Sequence, residues 1–510
     1  MLAMPRPFAR ADFAVYAALA GIKFVLHAAT AGGYGMFRDE FYYLACADRL
    51  DWGYVDHPPL SIWLLAATRA VLGDSVVATR LPAVFASTLV VIGTGLLARR
   101  LGGGRYAQAL AMASVIACPM LLGVHNYYSM NTLDHVFWVA AAYLLLRLIA
   151  SAEPRWWLWL GVVCGLGLMN KTSMAFFGLG LAAAIALTPL RRWLATPWPW
   201  AGGALAVLLY APNIAWQFTH DFAMLEFIRN ASLNKNAPMG PLTFLAEIVK
   251  TYHPILLPVW ALGVAWPFVD AGARRWRPLA IVFAAVLLIF MFGNGKPYYA
   301  APAFPLAFAL GAVWIAQLTA ARRAARVAIL VLVAVGGAAM APLAVPLLPP
   351  ATALAYMQAL GLAPKPMERS HLGAMPQHFA DRFGWRQRAE LVQRAFRTLS
   401  PEDQARAVVI GLNYGEAGAM EYWADELGLP PAIAPHNNYW LWGPGRAGRD
   451  INLLIAGPEH PVLEQFESVE DFGMVDEPFQ LDYWRRAHVY VVRGLKRPID
   501  EVWTEAKVFQ

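Results

Sequence analysis

Eleven apolar stretches, each close to the length an α-helix needs to cross a bilayer (about 20 residues), dominate this chain. They fall near residues 12–32, 78–98, 106–124, 132–150, 155–170, 173–190, 197–216, 245–268, 278–294, 298–318 and 327–347. In lipid each backbone N–H and C=O has to be satisfied inside the protein, so such a chain can fold only as a helix bundle. Composition agrees. With 58% hydrophobic residues, 15% charged residues and 20 Trp in 510 residues, a soluble domain could not hide the apolar surface. The expected fold class is a polytopic α-helical membrane protein of about 11 transmembrane helices.

Arginines punctuate these stretches at alternate connections: Arg6 and Arg10; Arg99, Arg100 and Arg105; Arg147 and Arg155; Arg191 and Arg192; Arg274, Arg275 and Arg277; Arg322, Arg323 and Arg326. The positive-inside rule makes all of them cytoplasmic, which sets the N-terminus inside and the C-terminus outside. The first span is longer than a signal-peptide core, and its removal would put the later clusters on the wrong side, so it reads as an anchor. The net charge of +7 sits in these clusters rather than along one face, which argues against nucleic acid as a partner. Cys46, Cys118 and Cys164 are too few and too scattered for a disulfide framework or a zinc site.

With that topology the polar residues sort by side. Asp39, Glu40, Asp56 and His57 lie in the first outer loop (33–77), in Arg38-Asp39-Glu40-Phe41-Tyr42-Tyr43 and Asp56-His57-Pro58-Pro59-Leu60. Asp134 opens the fourth span, Lys171 follows the fifth, and Lys296 precedes Pro297-Tyr298-Tyr299. All face outward, and polar groups gathered on one leaflet mark a site, because each is expensive near lipid. Simpler readings stand beside this one. Asp39 and Glu40 could solvate a loop, Asp134 could cap its helix, the lysines could snorkel, and His57 could serve a turn. His125, His135, His220 and His253 show no metal-ligand spacing. Leu60 to Val77, apolar but broken by Arg69 and Asp74, reads as a helix lying in the membrane interface. A phosphate leaving group calls for cations, which Lys171 and Lys296 supply. An acceptor hydroxyl calls for a carboxylate to orient it or take its proton, a role that fits Asp39.

The order of these residues carries a resemblance. An Asp-Glu pair after the first span, Asp56-His57-Pro58-Pro59-Leu60, Arg80-Leu81-Pro82, an aspartate opening the fourth span, Gly165-Leu166-Gly167-Leu168-Met169-Asn170-Lys171 and Lys296-Pro297-Tyr298-Tyr299 with Pro302 follow one another. Over roughly the first 345 residues the chain resembles the dolichyl-phosphate-mannose protein mannosyltransferase and aminoarabinose transferase superfamily, glycosyltransferases of the GT-C fold. The resemblance implies a polyprenyl-phosphate sugar donor and transfer with inversion at the outer face of the inner membrane. The acceptor would be lipid A, a polysaccharide, another glycolipid or a protein. It implies Asp39 as catalytic base or acceptor-orienting group, Glu40 as its support and Asp134 as the second acid. Lys171, Lys296, Tyr298 and Tyr299 become candidates for donor contact. Some relatives carry a lysine where His57 stands, so His57 would meet a donor phosphate only when protonated. No cofactor is implied. A divalent cation stays open, because first-loop acids are metal ligands in related enzymes, although the sequence offers no complete ligand set.

Beyond residue 348 the composition changes. Pro349, Pro350, Pro364 and Pro366 mark a linker between a membrane domain (1–347) and an outer α/β domain (348–510). Residues 407–412, 451–456 and 488–492 read as strands and 416–427 as a helix. The loop His436-Asn437-Asn438-Tyr439-Trp440-Leu441-Trp442 sets aromatics beside amides, so Asn438, Tyr439, Trp440 and Trp442 are candidates for stacking on an acceptor sugar or for packing the domain. The alternative function is a transporter or flippase of a lipid-linked sugar. That class predicts charges at mid-bilayer depth and on both sides, often with internal repeats and broken helices; here no repeat is evident and the polar residues singled out above are one-sided.

Overall fold

A computed structural model describes residues 8–235, 239–362, 373–447 and 451–510. Arg6 and the linker prolines Pro364 and Pro366 lie outside the described residues. All the apolar stretches are helical. Six helices are long and apolar enough to cross a membrane unaided: Arg10–Thr30, Val76–Arg100, Met130–Ser151, Ala271–Phe292, Pro297–Leu318 and Arg323–Leu343. Three further spans are bent pairs, Arg105–Ala117 with Pro119–Asn126 (68°), Met174–Leu187 with Pro189–Ala195 (99°) and Pro241–Thr251 with Pro254–Val269 (100°). The count among the described residues is therefore six to nine rather than eleven. Arg155–Asn170 has only 16 residues, and Trp198–Thr219 is diluted by tryptophans, Pro212, Asn213 and Gln217. Each bent pair breaks just before a proline, which cannot donate to the preceding turn.

The chain divides into two compact units. One comprises Met1–Ala31, Arg80–Ala215 and Pro238–Leu347 and holds the membrane-spanning helices. Its core is a continuous apolar cluster that includes Leu145, Phe177, Trp276, Phe304 and Leu310. Lipid gives helices no hydrophobic reason to associate, so close backbone packing has to do it. The helices Leu257–Val269 and Phe304–Leu318 show how: a Cβ at Gly311 would overlap the carbonyl of Val259, and one at Gly263 would overlap that of Ala307.

The other unit comprises Gly32–Thr79, Trp216–Ala237 and Leu348–Gln510, so the loop after the first span folds with the C-terminal region. Its sheet has five strands, β1 (Val408–Gly411), β2 (Ala432–Ile433), β3 (Ile451–Ala456), β4 (Phe466–Met474) and β5 (His488–Leu495), in the order β2-β1-β3-β5-β4. β1 is parallel to β2 and β3, while β5 is antiparallel to β3 and β4. Every residue of β3 is buried, as a central strand covered on both faces requires. The expected interfacial helix is Leu60–Leu72, shorter than foreseen: Gly73 (φ 76°) ends it, and Val76 and Val77 begin the next helix. Arg69 does not interrupt this helix, because its guanidinium is tied to Asp48 (2.8 Å) and to Asp74, leaving Val71 and Leu72 exposed at its end.

Gly311→Val is expected to destabilise the protein in detergent by about 1–3 kcal/mol through overpacking, read as a lower melting temperature. Wild-type melting would show that this crossing is not backbone to backbone.

Candidate active site

The acidic pair begins the helix Arg38–Ala47. Glu40, fully buried, turns back to accept a hydrogen bond from the Phe37 N–H (2.8 Å), closing the first turn in the manner of a capping box. It is thereby committed to the helix start. Asp39, one position earlier, has a side chain 31% exposed. Its Oδ1 accepts from Arg38 Nε (3.2 Å) and from the Tyr414 hydroxyl (2.9 Å). Among the described residues its Oδ2 takes no protein partner. Arg38 is itself anchored: its N–H donates to Asp381 O (3.0 Å) and its Nη1 lies 3.7 Å from Asp381 Oδ2.

The helix reaches this position because Tyr414–Tyr422 packs against it through glycines. A Cβ at Gly415 would overlap the Arg38 side chain, and one at Gly418 would stand 2.9 Å from the Phe41 carbonyl carbon. The Asn413 side chain caps Tyr414–Tyr422 by accepting from the Gly415 and Glu416 N–H groups (2.8 and 3.2 Å). Gly411-Leu412-Asn413-Tyr414-Gly415 is thus a strand end followed by a capped helix start.

A second carboxylate stands beside the first. Asp56 Oδ1 lies 2.9 Å from the Tyr42 hydroxyl, which is also 3.0 Å from Asn438 Oδ1. Asn438 Oδ1 accepts the Val55 N–H as well (2.7 Å). The rings of Tyr42 and Tyr414 stack at 4.7 Å, so each carboxylate has its own tyrosine and the two tyrosines hold one another. Burial pushes the Asp56 carboxyl up; His57 and the Tyr42 hydrogen bond oppose the rise and Asp39 adds to it. His57 is fully buried and stacked on Tyr43 at 4.7 Å. Its Nδ1 lies 3.1 Å from Pro58 O and its Nε2 3.9 Å from Asp56 Oδ1, so its environment is the turn and Asp56.

The membrane-spanning unit carries the other predicted residues. Ser129, not Asn131, Thr132 or Asp134, caps Met130–Ser151, its side chain accepting from the Asn131 N–H (3.3 Å). Asp134, freed from capping, is fully buried and accepts from Ser173 Oγ (2.7 Å) with Lys171 Nζ at 3.9 Å. Lys171 Nζ donates to Asn131 Oδ1 (2.6 Å) and lies 5.9 and 5.7 Å from the ring centres of Tyr298 and Tyr299. An ammonium so held presents its charge beside two phenol rings. Lys296, half-buried, precedes the turn Pro297–Ala303 that carries those tyrosines.

The aromatic loop is engaged within its own unit. Asn438 serves Tyr42 and Val55, Tyr439 is buried and donates to Glu421 (2.7 Å), and Trp440 Nε1 donates to Trp503 O (2.8 Å). Trp442, half-buried, lies under the Arg49 guanidinium at 4.4 Å. The two tyrosines that hold the aspartates escaped sequence reading: Tyr42 was visible only as part of an aromatic run, and Tyr414 lies 375 residues from its partner. Also unforeseen, the His125 and His135 rings lie 4.8 Å apart. Among the described residues no three of His, Cys, Asp and Glu are grouped to hold a metal ion.

Residues 56–216 match the sequence family described as dolichyl-phosphate-mannose-protein mannosyltransferase. The chain is 28% identical over 290 residues to an undecaprenyl phosphate-alpha-4-amino-4-deoxy-L-arabinose arabinosyl transferase of Erwinia tasmaniensis, covering 51% of this chain and 50% of that protein. The chain thus spans about half the length of such curated relatives. Its fold is similar to that of ArnT from Cupriavidus metallidurans bound to undecaprenyl phosphate (TM-score 0.58, 16% identity, 95% of this chain and 98% of that one). It is also similar to the arabinofuranosyltransferase AftD from Mycobacteria (TM-score 0.52, 15% identity, 95% of this chain and 40% of that one).

Glu416, on the helix that carries Tyr414, offers a pH test of the unit. It is buried, accepts from the Leu412 N–H (2.7 Å), and burial pushes its carboxyl from 4.5 up to about 7 against the opposing charge of Arg388. A raised carboxyl stabilises the fold below its unfolded value and loses that contribution as pH rises through about 7. Thermal melts should therefore fall between pH 5 and pH 8 in the wild type and flatten in Glu416→Gln; equal slopes would contradict the assignment.

Proposed function

We propose that this chain is a member of the protein mannosyltransferase and aminoarabinose transferase superfamily of GT-C glycosyltransferases, and that it transfers a sugar from a polyprenyl-phosphate donor to an acceptor at the outer face of the inner membrane. The observation that carries this reading is Asp39: a half-exposed carboxylate with Oδ1 doubly held and Oδ2 open. Undecaprenyl phosphate is the polyprenyl carrier best supported, since it is named in the curated relatives and bound in the similar ArnT structure. The arginine clusters support a cytoplasmic N-terminus and an outer C-terminal region.

In this reaction an acceptor oxygen attacks the anomeric carbon of the donor sugar. The bond from that carbon to the phosphate oxygen breaks, polyprenyl phosphate leaves, and the configuration inverts. Asp39 takes the acceptor proton on Oδ2. Glu40 fixes the turn that presents Asp39, and Asp56, held by Tyr42, is its neighbouring carboxyl. His57 acts through Asp56 rather than on phosphate, because it is buried in the turn. Lys171 neutralises charge developing on the leaving phosphate. Asp134 and Asn131 aim its ammonium, while Tyr298, Tyr299 and Lys296 complete the donor contacts. Trp442, the half-buried tryptophan on Arg49, is the loop residue we assign to the acceptor, since Asn438, Tyr439 and Trp440 hold the loop. Acceptors with a hydroxyl or a phosphate, among them lipid A, polysaccharide, glycolipid and protein, share this chemistry.

Two variants in nanodiscs test the assignment. Asp39→Asn should lose transfer by about 10²–10⁴-fold, the range of general-base catalysis, with donor affinity unchanged. Lys171→Ala should weaken donor binding at least about tenfold, one hydrogen-bonded charge being worth roughly 1.5–3 kcal/mol. Transfer at the wild-type rate in Asp39→Asn would remove Asp39 from the chemistry.

A further inference from the structure

We propose that Tyr414, contributed by the C-terminal region, is a positioning residue of the transfer site: by donating to Asp39 Oδ1 it orients the carboxylate so that Oδ2 receives the acceptor proton. The proposal rests on Asp39 being the base, and adds to that reading a residue far outside the membrane-spanning segments.

The Tyr414 hydroxyl is held in place from several sides. Asn413 fixes the start of its helix. Its ring is stacked on Tyr42 at 4.7 Å and lies 4.6 Å from the His436 ring, with the Arg38 guanidinium 5.4 Å from its centre. A phenol confined in this way can approach Asp39 in few orientations, and a fixed donor at one carboxylate oxygen selects which oxygen is left to react. Arg38 cannot do this alone, since its guanidinium is shared with Asp381. The charged and titratable groups facing Asp39 are Arg38 on its own helix, Tyr414 on the facing helix and Asp56 in the following turn, with His57 behind Asp56 and Asp381 behind Arg38.

Without the Tyr414 hydrogen bond the acceptor proton meets a carboxylate free to rotate. A residue that only packed the helices would leave that orientation alone, because phenylalanine keeps the ring. The test compares wild type, Tyr414→Phe, Asp39→Asn and the double variant in nanodiscs, with a panel of undecaprenyl-phosphate sugars as donors and cell-envelope extract as acceptor; melting temperatures report folding. The expected result for Tyr414→Phe is wild-type melting, an unchanged donor KM and kcat lower by roughly 10–100-fold, the scale of a misplaced catalytic group. Adding Tyr414→Phe to Asp39→Asn should cost nothing more. A Tyr414→Phe protein with wild-type kcat, beside an inactive Asp39→Asn, would overturn the positioning role and leave the base assignment standing. An active Asp39→Asn, or no turnover of any donor by wild type, would overturn both.

Discussion

The contact between Arg38–Ala47 and Tyr414–Tyr422 is the constraint on which the acidic site depends. Gly415 and Gly418 leave no side chain between the two helices, so one presses on Arg38 and the other on the backbone of Phe41. That closeness is what lets a hydroxyl on the second helix reach a carboxylate at the start of the first at 2.9 Å. The same approach stacks Tyr42 on Tyr414, and with it sets Asp56 beside Asp39. A larger residue at either glycine would part the tyrosines and both carboxylates with them.

The lysine arrangement follows a different logic. Lys171 stands at the end of Arg155–Asn170, where the chain turns before the next helix, and a buried aspartate and an asparagine aim its ammonium. An ammonium near lipid is expensive unless it has partners. Asp134 offsets part of that cost at 3.9 Å, too far for a tight ion pair, so the charge remains usable by an anion.

Much of this was legible in the sequence, for identifiable reasons. Bilayer-length apolar runs announce helices whatever their partners, and the buried strands β1, β3 and β5 announced themselves as apolar runs in a charged region. Strand β4 did not, because it lies at the sheet edge with most of its residues exposed and no apolar period. The three bends were readable in principle from Pro119, Pro189 and Pro254. Asp39 and Lys171 could be singled out because charges beside apolar runs are conspicuous. Their partners could not. Tyr414 looked like any tyrosine after a strand, and Asn438 like an amide in an aromatic loop, until pairing across 375 and 396 residues gave each a role. Such contacts depend on tertiary packing, which no local pattern encodes.

The central claim is that the chain moves a sugar rather than carrying a lipid-linked sugar across the membrane. It is tested most directly by following a radiolabelled sugar on undecaprenyl phosphate in proteoliposomes containing the purified protein, with and without envelope acceptor. The account predicts label appearing on an acceptor together with free undecaprenyl phosphate, and no passage of donor between leaflets when acceptor is absent. Donor crossing the bilayer in acceptor-free vesicles, with no labelled product when acceptor is supplied, would contradict it.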